Sequence, residues 1–223
     1  MPIKDFNLTW LEVIESTLTN GIFRSPRGIP TLETIHRTIQ VDMRRPVLTV
    51  EARKLSYTFM LAEAHWILSG SDRVADIEPY NKNIAKFSDD GVIFHGAYGP
   101  KVHSQIAGVI EKLIDDPDTR QACINIWREN PLPSKDIPCT MSIVFQIRDT
   151  KLHCSVFMRS SDIWLGLPYD VFNFSMLSHW VCALINERNI DGLRITPGAL
   201  SLTAASSHLY ENNFEAANRV ISI

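Results

Sequence analysis

From Pro138 to Asp162 the sequence reads P-C-T-M-S-I-V-F-Q-I-R-D-T-K-L-H-C-S-V-F-M-R-S-S-D, and this stretch decides the fold. Two runs in it, Thr140 to Arg148 and Lys151 to Arg159, are rich in β-branched and aromatic residues that alternate roughly with polar ones. This pattern, with polar turn residues between the runs, predicts a β-hairpin.

The register of the hairpin places a thiol beside a cation. If the turn is centred between Asp149 and Thr150, the numbers of opposed residues in an antiparallel ladder sum to about 299. Cys139 then lies beside Ser160, one residue from Arg159. A fixed cation lowers the pKa of a neighbouring thiol, and the thiolate is the nucleophilic form. We therefore expect Cys139 to be a nucleophile, the alternative being a cysteine with a structural role only.

The rest of the chain predicts helices mixed with strands. Helices are expected near 6–17, 52–68, 99–115 and 170–186 and from residue 208 onward, and further strands near 33–41, 122–127 and 200–204. Since the elements do not alternate regularly as βαβ units, the fold class is α+β. No linker rich in Pro, Gly or Ser divides the 223 residues, so we expect a single catalytic domain over residues 1–223.

Composition restricts the possible functions. A net charge of −3 gives no support for nucleic-acid binding. The sequence shows neither a signal peptide at its start nor an apolar run of the roughly 18 residues that a membrane span needs. The four cysteines lack C-x-x-C spacing, which argues against a metal site and a disulfide framework and favours a reducing cytoplasm.

The motifs around the hairpin resemble those of the thymidylate synthase family, which includes pyrimidine-nucleotide hydroxymethylases. The string P-C-x-x-x-x-x-F-Q is followed by R-S-x-D-x-x-L-G-L-P-Y, and the resemblance runs from about Pro26 to Asn213. In that family a thiolate adds to C6 of a pyrimidine nucleotide, and C5 attacks the one-carbon unit of 5,10-methylenetetrahydrofolate. The resemblance implies a mixed or antiparallel sheet packed by helices, with one sheet face forming an obligate homodimer interface.

The resemblance also implies a role for each matching residue. Cys139 is the nucleophile, Glu63 organises water and proton transfer near the ring and the folate, and Tyr98 takes part in removing the C5 proton. Asp162 orders the folate pterin. The substrate-binding residues are Arg159 and Ser160 for the phosphate, Arg27 (or Arg24 in another register) for the same phosphate, Arg120 for the phosphate of the partner subunit, and His208 and Tyr210 for the sugar hydroxyl.

Asp170 departs from the thymidylate synthase pattern, which has an asparagine there. The amide of an asparagine recognises uracil by donating a hydrogen bond to O4 and accepting one from N3–H. Cytosine presents an amine in place of O4, and its adduct gains a proton at N3, so both groups are donors and match a carboxylate. Asp170 therefore points to CMP or dCMP as substrate. Thymidylate synthesis or dUMP hydroxymethylation remains the alternative if Asp170 is only a helix cap.

Two further departures suit hydration of the exocyclic methylene instead of its reduction. Residues 69–126 contain no tryptophan, and Tyr80, Asn81 and Asn83 predict a more polar site. The sequence ends at Ile223, shortly after the His208–Tyr210 motif, which predicts a wetter site; a truncated end is the other explanation. The expected product is a 5-hydroxymethyl nucleotide with tetrahydrofolate. A catalytically silent relative that only binds nucleotide or RNA is the rival from another functional class.

Overall fold

The computed structural model describes residues 3–128, 133–188 and 194–222. The structure is α+β, with one six-stranded sheet packed by helices, as predicted. Its helices are α1 (Phe6–Asn20), α2 (Tyr57–Leu68), α3 (Val74–Ile77), α4 (Tyr98–Asp115), α5 (Leu167–Arg188) and α6 (Phe214–Ile221). Its strands are β1 (Ile22–Arg24), β2 (Thr31–Asp42), β3 (Cys123–Asn125), β4 (Thr140–Arg148), β5 (Lys151–Asp162) and β6 (Thr196–Tyr210).

The sheet has the strand order β1-β2-β6-β5-β4-β3. All neighbouring strands are antiparallel except β5 and β6, which are parallel. A parallel pair needs a crossover connection, and α5 supplies it. The R-S-x-D motif ends β5 at Asp162 and α5 begins at Leu167, so the two most specific sequence motifs lie where the crossover starts.

The predicted turn between β4 and β5 is confirmed. Asp149 and Thr150 have φ angles of 49° and 59°, as in the type I′ turn that matches the twist of a hairpin. From this turn the ladder follows the predicted register as far as Ser142, which lies opposite Phe157.

The predicted register is wrong at the end of the hairpin that carries the cysteine. A β-bulge lies between Thr140 and Ser142, and Thr140 lies opposite Met158. The bulge adds one residue to β4, so every later pairing shifts by one. Consequently the backbone N–H of Arg159 donates to the carbonyl of Cys139 at 2.8 Å. The residue opposite the cysteine is therefore Arg159 itself and not Ser160.

Three helix predictions need correction. The region predicted as one helix from residue 52 contains a short 3₁₀ turn, Glu51–Arg53, and α2 begins only after Ser56, whose hydroxyl caps it by accepting from Phe59 N at 3.3 Å. Helix α5 begins at Leu167, before the predicted start. The predicted final helix exists as α6 but begins at Phe214 and not at residue 208, because β6 runs to Tyr210; at His208 this strand pairs with both β2 and β5, which a helix could not do.

The hydrophobic core lies between one face of the sheet and the helices α1, α4 and α5. Trp10 of α1, Ile110 of α4 and Phe145 of β4 are among its fully buried side chains. The indole N–H of Trp10 donates to the carbonyl of Ile163 at 2.7 Å, so this buried donor is satisfied. The bond anchors the turn between β5 and α5.

The opposite face of the sheet is open in the single chain. Ser142, Phe157, Thr203 and Thr38 form one row across four strands. Phe157 is 44% exposed, and the hydroxyl groups of Thr38 and Thr203 are 2.9 Å apart. This face thus mixes small polar and apolar side chains, and no helix in the described ranges covers it. Among the described residues, no helix combines the length and apolar character needed to cross a membrane.

Candidate active site

Arg159 is held beside the cysteine by backbone carbonyls. Its Nε donates to Pro138 O at 3.0 Å and its Nη2 to Ile137 O at 2.9 Å. The guanidinium carbon also lies 5.8 Å from the centre of the Trp127 ring. The cation is therefore fixed on the segment that immediately precedes Cys139.

The thiol of Cys139 does not have the lowered pKa that we predicted. Burial raises its pKa, and although Arg159 and Arg27 pull it down, Asp170 and Asp136 push it up. The prediction considered one cation and missed both the desolvation and the two carboxylates. The neighbouring cations therefore do not offset the effect of burial on the thiol.

Tyr98 is connected directly to the nucleophile segment. It opens α4, and its hydroxyl oxygen accepts from the backbone N–H of Thr140 at 3.3 Å. Its ring stacks on Phe174 of α5, with centroids 6.2 Å apart. Burial raises its pKa, and the charges of Asp170 and Cys139 act in the same direction. The hydroxyl is thus kept in its neutral form beside the cysteine.

Glu63 lies on α2 and faces α5. Asn173 Nδ2 donates to its Oε2 at 2.8 Å. Desolvation raises the pKa of Glu63 to about 7, while the bond from Asn173 acts in the opposite direction. A carboxyl group with such a pKa exchanges protons near neutral pH, as a general base or acid must.

Asp170 is inside α5 and does not cap it. The helix begins at Leu167, and the backbone N–H of Asp170 donates to Gly166 O at 3.0 Å. Its carboxylate makes no hydrogen bond to any residue that the structure describes. Burial raises its pKa well above the usual range, and the negative charges of Glu63 and Asp162 add to this. The alternative that Asp170 is only an N-cap is therefore not supported.

A cavity of about 210 Å³ brings Glu63, Tyr98 and Asp170 together, whereas Cys139 and Arg159 are not among the residues that line it. Four polar side chains line it: Glu63, Asp136, Asp170 and Asn173. Its other walls are largely apolar, formed by Trp66, Ile67, Ile84, Phe87, Phe94 and Tyr98 with Gly96 and Ala97. The expected polar contribution from Tyr80, Asn81 and Asn83 is wrong, because none of the three lines the cavity. Its polarity comes from carboxyl and amide groups on α2, α5 and the segment before Cys139.

Ser160, Asp162, His208 and Tyr210 form a second group on neighbouring strands. Ser160 Oγ lies 3.4 Å from His208 Nδ1, and Asp162 is opposite His208 in the parallel ladder. The rings of His208 and Tyr210 meet edge to face at 5.0 Å. Burial lowers the pKa of His208, with Arg159 and Arg27 acting in the same direction.

Asp162 caps the turn that leads into α5. Its Oδ1 accepts from the backbone N–H groups of Trp164 and Leu165, each at 2.8 Å. Burial raises its pKa, although these two bonds oppose the shift. One oxygen is thus used to shape the turn into α5, and a folate contact through the other oxygen stays a prediction.

The two candidates for the N-terminal phosphate arginine differ in their surroundings. Arg27 is exposed, with φ of 54°, and its charge lowers the pKa of both Cys139 and His208. Arg24 donates to the carbonyl of its neighbour Phe23 at 2.9 Å. Arg27 thus acts electrostatically on two residues of the candidate site, and its contact with the phosphate stays a prediction.

Arg120 is not part of the site in its own chain. It is exposed in the loop between α4 and β3. The adjacent Ala122 accepts from Phe145 N at 2.9 Å. At about 3.3 Å per residue, Phe145 is about 20 Å along β4 from Cys139. A contact of Arg120 with a phosphate would therefore have to be made in another subunit.

Sequence reasoning missed Asn173 and Asp136. Asn173 follows Asp170 by one helical turn, so the 3.6-residue period could have placed both on one face of α5. Asp136 lies close before Cys139, but no sequence pattern shows that its side chain bonds to the loop before Tyr98. The described part of the chain contains no group of three or more His, Cys, Asp and Glu residues arranged to hold a metal ion.

Comparisons with known proteins identify the family of this chain. The family model described as thymidylate synthase matches residues 8–222. A deoxyuridylate hydroxymethyltransferase of Bacillus phage SP01 is 32% identical over 232 residues, covering 93% of this chain and 57% of the relative. A thymidylate synthase of Buchnera aphidicola is 24% identical over 226 residues, covering 95% of this chain and 82% of that protein. The chain thus spans just over half the length of the phage relative. The match along almost the whole chain shows that it belongs to the thymidylate synthase family, whose members use 5,10-methylenetetrahydrofolate as co-substrate.

Proposed function

We propose that this chain is a 5-hydroxymethyltransferase acting on a cytidine 5′-monophosphate, either CMP or dCMP. The observation that carries the proposal is the carboxylate of Asp170, which lies in the cavity without a hydrogen bond to a described residue. It is therefore available to accept from the 4-amino group and from the proton on N3 of a cytosine adduct.

The proposed reaction needs no oxidant or reductant. The thiolate of Cys139 bonds to C6, and C5 attacks the methylene carbon of the folate. Loss of the C5 proton and cleavage of the bond to the folate nitrogen leave an exocyclic methylene. Water adds its oxygen to that carbon and gives up a proton, and the sulfur leaves C6. The products are the 5-hydroxymethyl nucleotide and tetrahydrofolate.

We carry the role of each residue over from the family resemblance, and the positions of the side chains are compatible with these roles. Arg159, held on the segment before Cys139, binds the phosphate and opposes the negative charge of the sulfur, and Ser160 and Arg27 add phosphate contacts. His208 and Tyr210 bind the sugar from β6. Glu63 accepts the proton of the attacking water, and its pKa of about 7 suits that task. Tyr98 assists removal of the C5 proton.

Folate is proposed to bind in the same cavity. Trp66, Phe87 and Phe94 supply aromatic surface against which a pterin ring can pack. Asp162 lies at the start of the turn into α5, where its second oxygen can accept from the pterin. These contacts are chemically suited to the planar, hydrogen-bonding ring.

The second subunit is also a proposal. The open sheet face carries Phe157 and its ladder partner Thr203, and Phe157 is 44% exposed. Pairing this face with its copy would bury them, and Arg120 would then serve the phosphate of the partner. Sedimentation at twice the chain mass is the expected result, and a monomer that is fully active would contradict it.

A second candidate function is hydroxymethylation of dUMP. The phage relative carries the name deoxyuridylate hydroxymethyltransferase. The raised pKa of Asp170 gives this candidate a physical basis. A protonated carboxyl offers one donor and one acceptor, which is the pattern that reads O4 and N3–H of uracil.

Product analysis distinguishes the two. The purified protein is incubated with methylenetetrahydrofolate and, in parallel, CMP, dCMP, dUMP and UMP, and the nucleotides are examined by mass spectrometry. We expect a gain of one CH₂O unit on CMP or dCMP. The same gain on dUMP alone would support the second candidate, and a gain of a methyl group on dUMP would contradict both.

A further inference from the structure

Asp136 has no role in the reaction described above, although it lies at the site. It is half-buried just before the nucleophile. It lines the cavity of about 210 Å³ and also a neighbouring one of about 140 Å³. Its side chain is therefore part of the wall between the two cavities.

One oxygen of Asp136 bonds to the loop that carries Tyr98. The backbone N–H of Gly96 donates to Asp136 Oδ2 at 2.6 Å. The approach is so close that a Cβ on Gly96 would lie 2.6 Å from the carbonyl oxygen of Asp136 and 2.7 Å from its Oδ1. Only glycine fits there without displacement, so the loop and the carboxylate are interlocked.

A second bond joins the same two segments on the other side of Cys139. Thr140 N donates to the hydroxyl oxygen of Tyr98 at 3.3 Å. The loop 96–98 is thus attached to the segment 136–140 at both ends, and Cys139 lies between the attachment points. Arg159 fixes that segment from a third direction through the carbonyls of Ile137 and Pro138.

The charge of Asp136 does not explain its position. Its pKa is raised by burial and by Asp89, and lowered by the Gly96 N–H bond, Lys101 and His95. When ionised, it raises the pKa of the Cys139 thiol, as Asp170 does, against Arg159 and Arg27. Because the charge of Asp136 disfavours the thiolate, the hydrogen bond that it accepts from the loop is the better explanation for its position.

We propose that Asp136 is a positioning residue that ties the loop 96–98 to the segment 136–140, and so fixes the distance from the Tyr98 hydroxyl to the Cys139 sulfur. The inference rests on the proposed roles of Cys139 and Tyr98. It holds for a cytosine or a uracil substrate, because sulfur attacks C6 and the proton leaves the adjacent C5 in both. A misplacement of about 1 Å between such groups can lower the rate by about 10²-fold.

Release of tritium from the C5 position measures the step that depends on this distance. The substrate is whichever [5-³H] nucleotide the wild-type protein accepts, with methylenetetrahydrofolate present. Asp136→Ala removes the acceptor, and Gly96→Ala opens the contact from the other side. Asp136→Asn is the matched control, since its amide oxygen still accepts from Gly96 N without the charge. Alkylation of Cys139 by iodoacetamide across pH reports the thiol separately.

We expect Asp136→Ala and Gly96→Ala to lower tritium release by about 10- to 100-fold while Cys139 is still alkylated. Asp136→Asn should stay within about 3-fold of wild type, and its alkylation midpoint should move to lower pH because a negative charge is lost. If Asp136→Ala does not fold, the tritium release of Gly96→Ala compared with that of Asp136→Asn tests the inference.

Two results would overturn the inference: alanine variants that release tritium like wild type, or an Asp136→Asn variant as defective as Asp136→Ala. A wild-type protein that releases no tritium from any of the four nucleotides would instead refute the proposed function, and this inference with it. The wild-type result therefore separates the two failures.

Discussion

The two sides of the candidate site are built in opposite ways. On the nucleophile side, Arg159 is held by the carbonyls of Ile137 and Pro138, at 2.9 and 3.0 Å. On the side formed by α2 and α5, the described residues offer Glu63 and Asp170 one side-chain donor between them, the amide of Asn173. The hydrogen bonds that position Arg159 on the first side are therefore present before substrate binds. The second has carboxylates with raised pKa values and few partners.

This difference indicates which groups the substrate must satisfy. Fixed donors and cations stabilise developing charge at no cost in reorganisation during the reaction. Buried carboxyl groups without partners are unfavourable in the folded protein, because desolvation disfavours their charged form. A ring that donates two hydrogen bonds would relieve that cost at Asp170. The nucleophile side thus supplies geometry, and the acidic side supplies selectivity and proton transfer.

The largest effect should come from the nucleophile side. Cys139→Ala removes the atom that bonds to C6, so we expect product formation and C5 tritium release to fall by about 10⁴-fold or more. Both are measured with the preferred nucleotide and methylenetetrahydrofolate.

Cys123→Ala is the control for the loss of a thiol. Cys123 is half-exposed on the edge strand β3, away from the cavity, and its replacement should leave the rate within about 2-fold. A Cys139→Ala variant that kept its full biological function would instead support the silent, nucleotide-binding relative.

The next largest effect should come from Asp170 on the acidic side. Asp170→Asn replaces an all-acceptor group by one donor and one acceptor, and we expect the ratio of kcat/KM for cytosine over uracil nucleotides to fall by about 10³-fold or more. In the wild type this ratio should rise with pH, because the ionised carboxylate favours cytosine. The variant should lose that dependence, since its amide does not titrate.

Glu187→Gln removes a carboxylate from the exposed end of the same helix and should leave the ratio unchanged. If Asp170→Asn alters only the thermal stability and not the ratio, the side chain does not read the base.

The sequence predicted the elements of this site better than their interactions. Local alternation was enough to predict the hairpin, its turn at Asp149 and Thr150, and a cysteine near Arg159. The bulge between Thr140 and Ser142 depends on bonds from another segment, because both Ile126 N and Trp127 N donate to the Met141 carbonyl. Such a long-range pairing leaves no local signal.

The pKa of Cys139 was mispredicted for a related reason. The hairpin pattern predicts the cation beside Cys139, which is Arg159. It does not predict the desolvation of the thiol or the nearby charge of Asp170, because both depend on how α5 packs against this segment. The course of β6 through His208 and Tyr210 likewise depends on its two partner strands. Motif spacing locates candidate residues, and tertiary packing decides their protonation.

The smallest effect we predict concerns Asn173. Its amide lowers the pKa of Glu63 against the larger effect of desolvation, leaving that pKa at about 7. Asn173→Ala removes the donor, so the pKa of Glu63 should rise by about one unit, because a hydrogen bond to a charged group contributes about 1.5 kcal/mol.

If ionised Glu63 is the base for hydration, the rate increases as pH rises through this pKa. The acid limb of the kcat profile should then move to higher pH, with little change at pH about 9. Ser175→Ala, which removes another buried side-chain polar group from α5, is the control and should leave the limb in place. An unshifted limb in Asn173→Ala would mean that Glu63 does not control the hydration step.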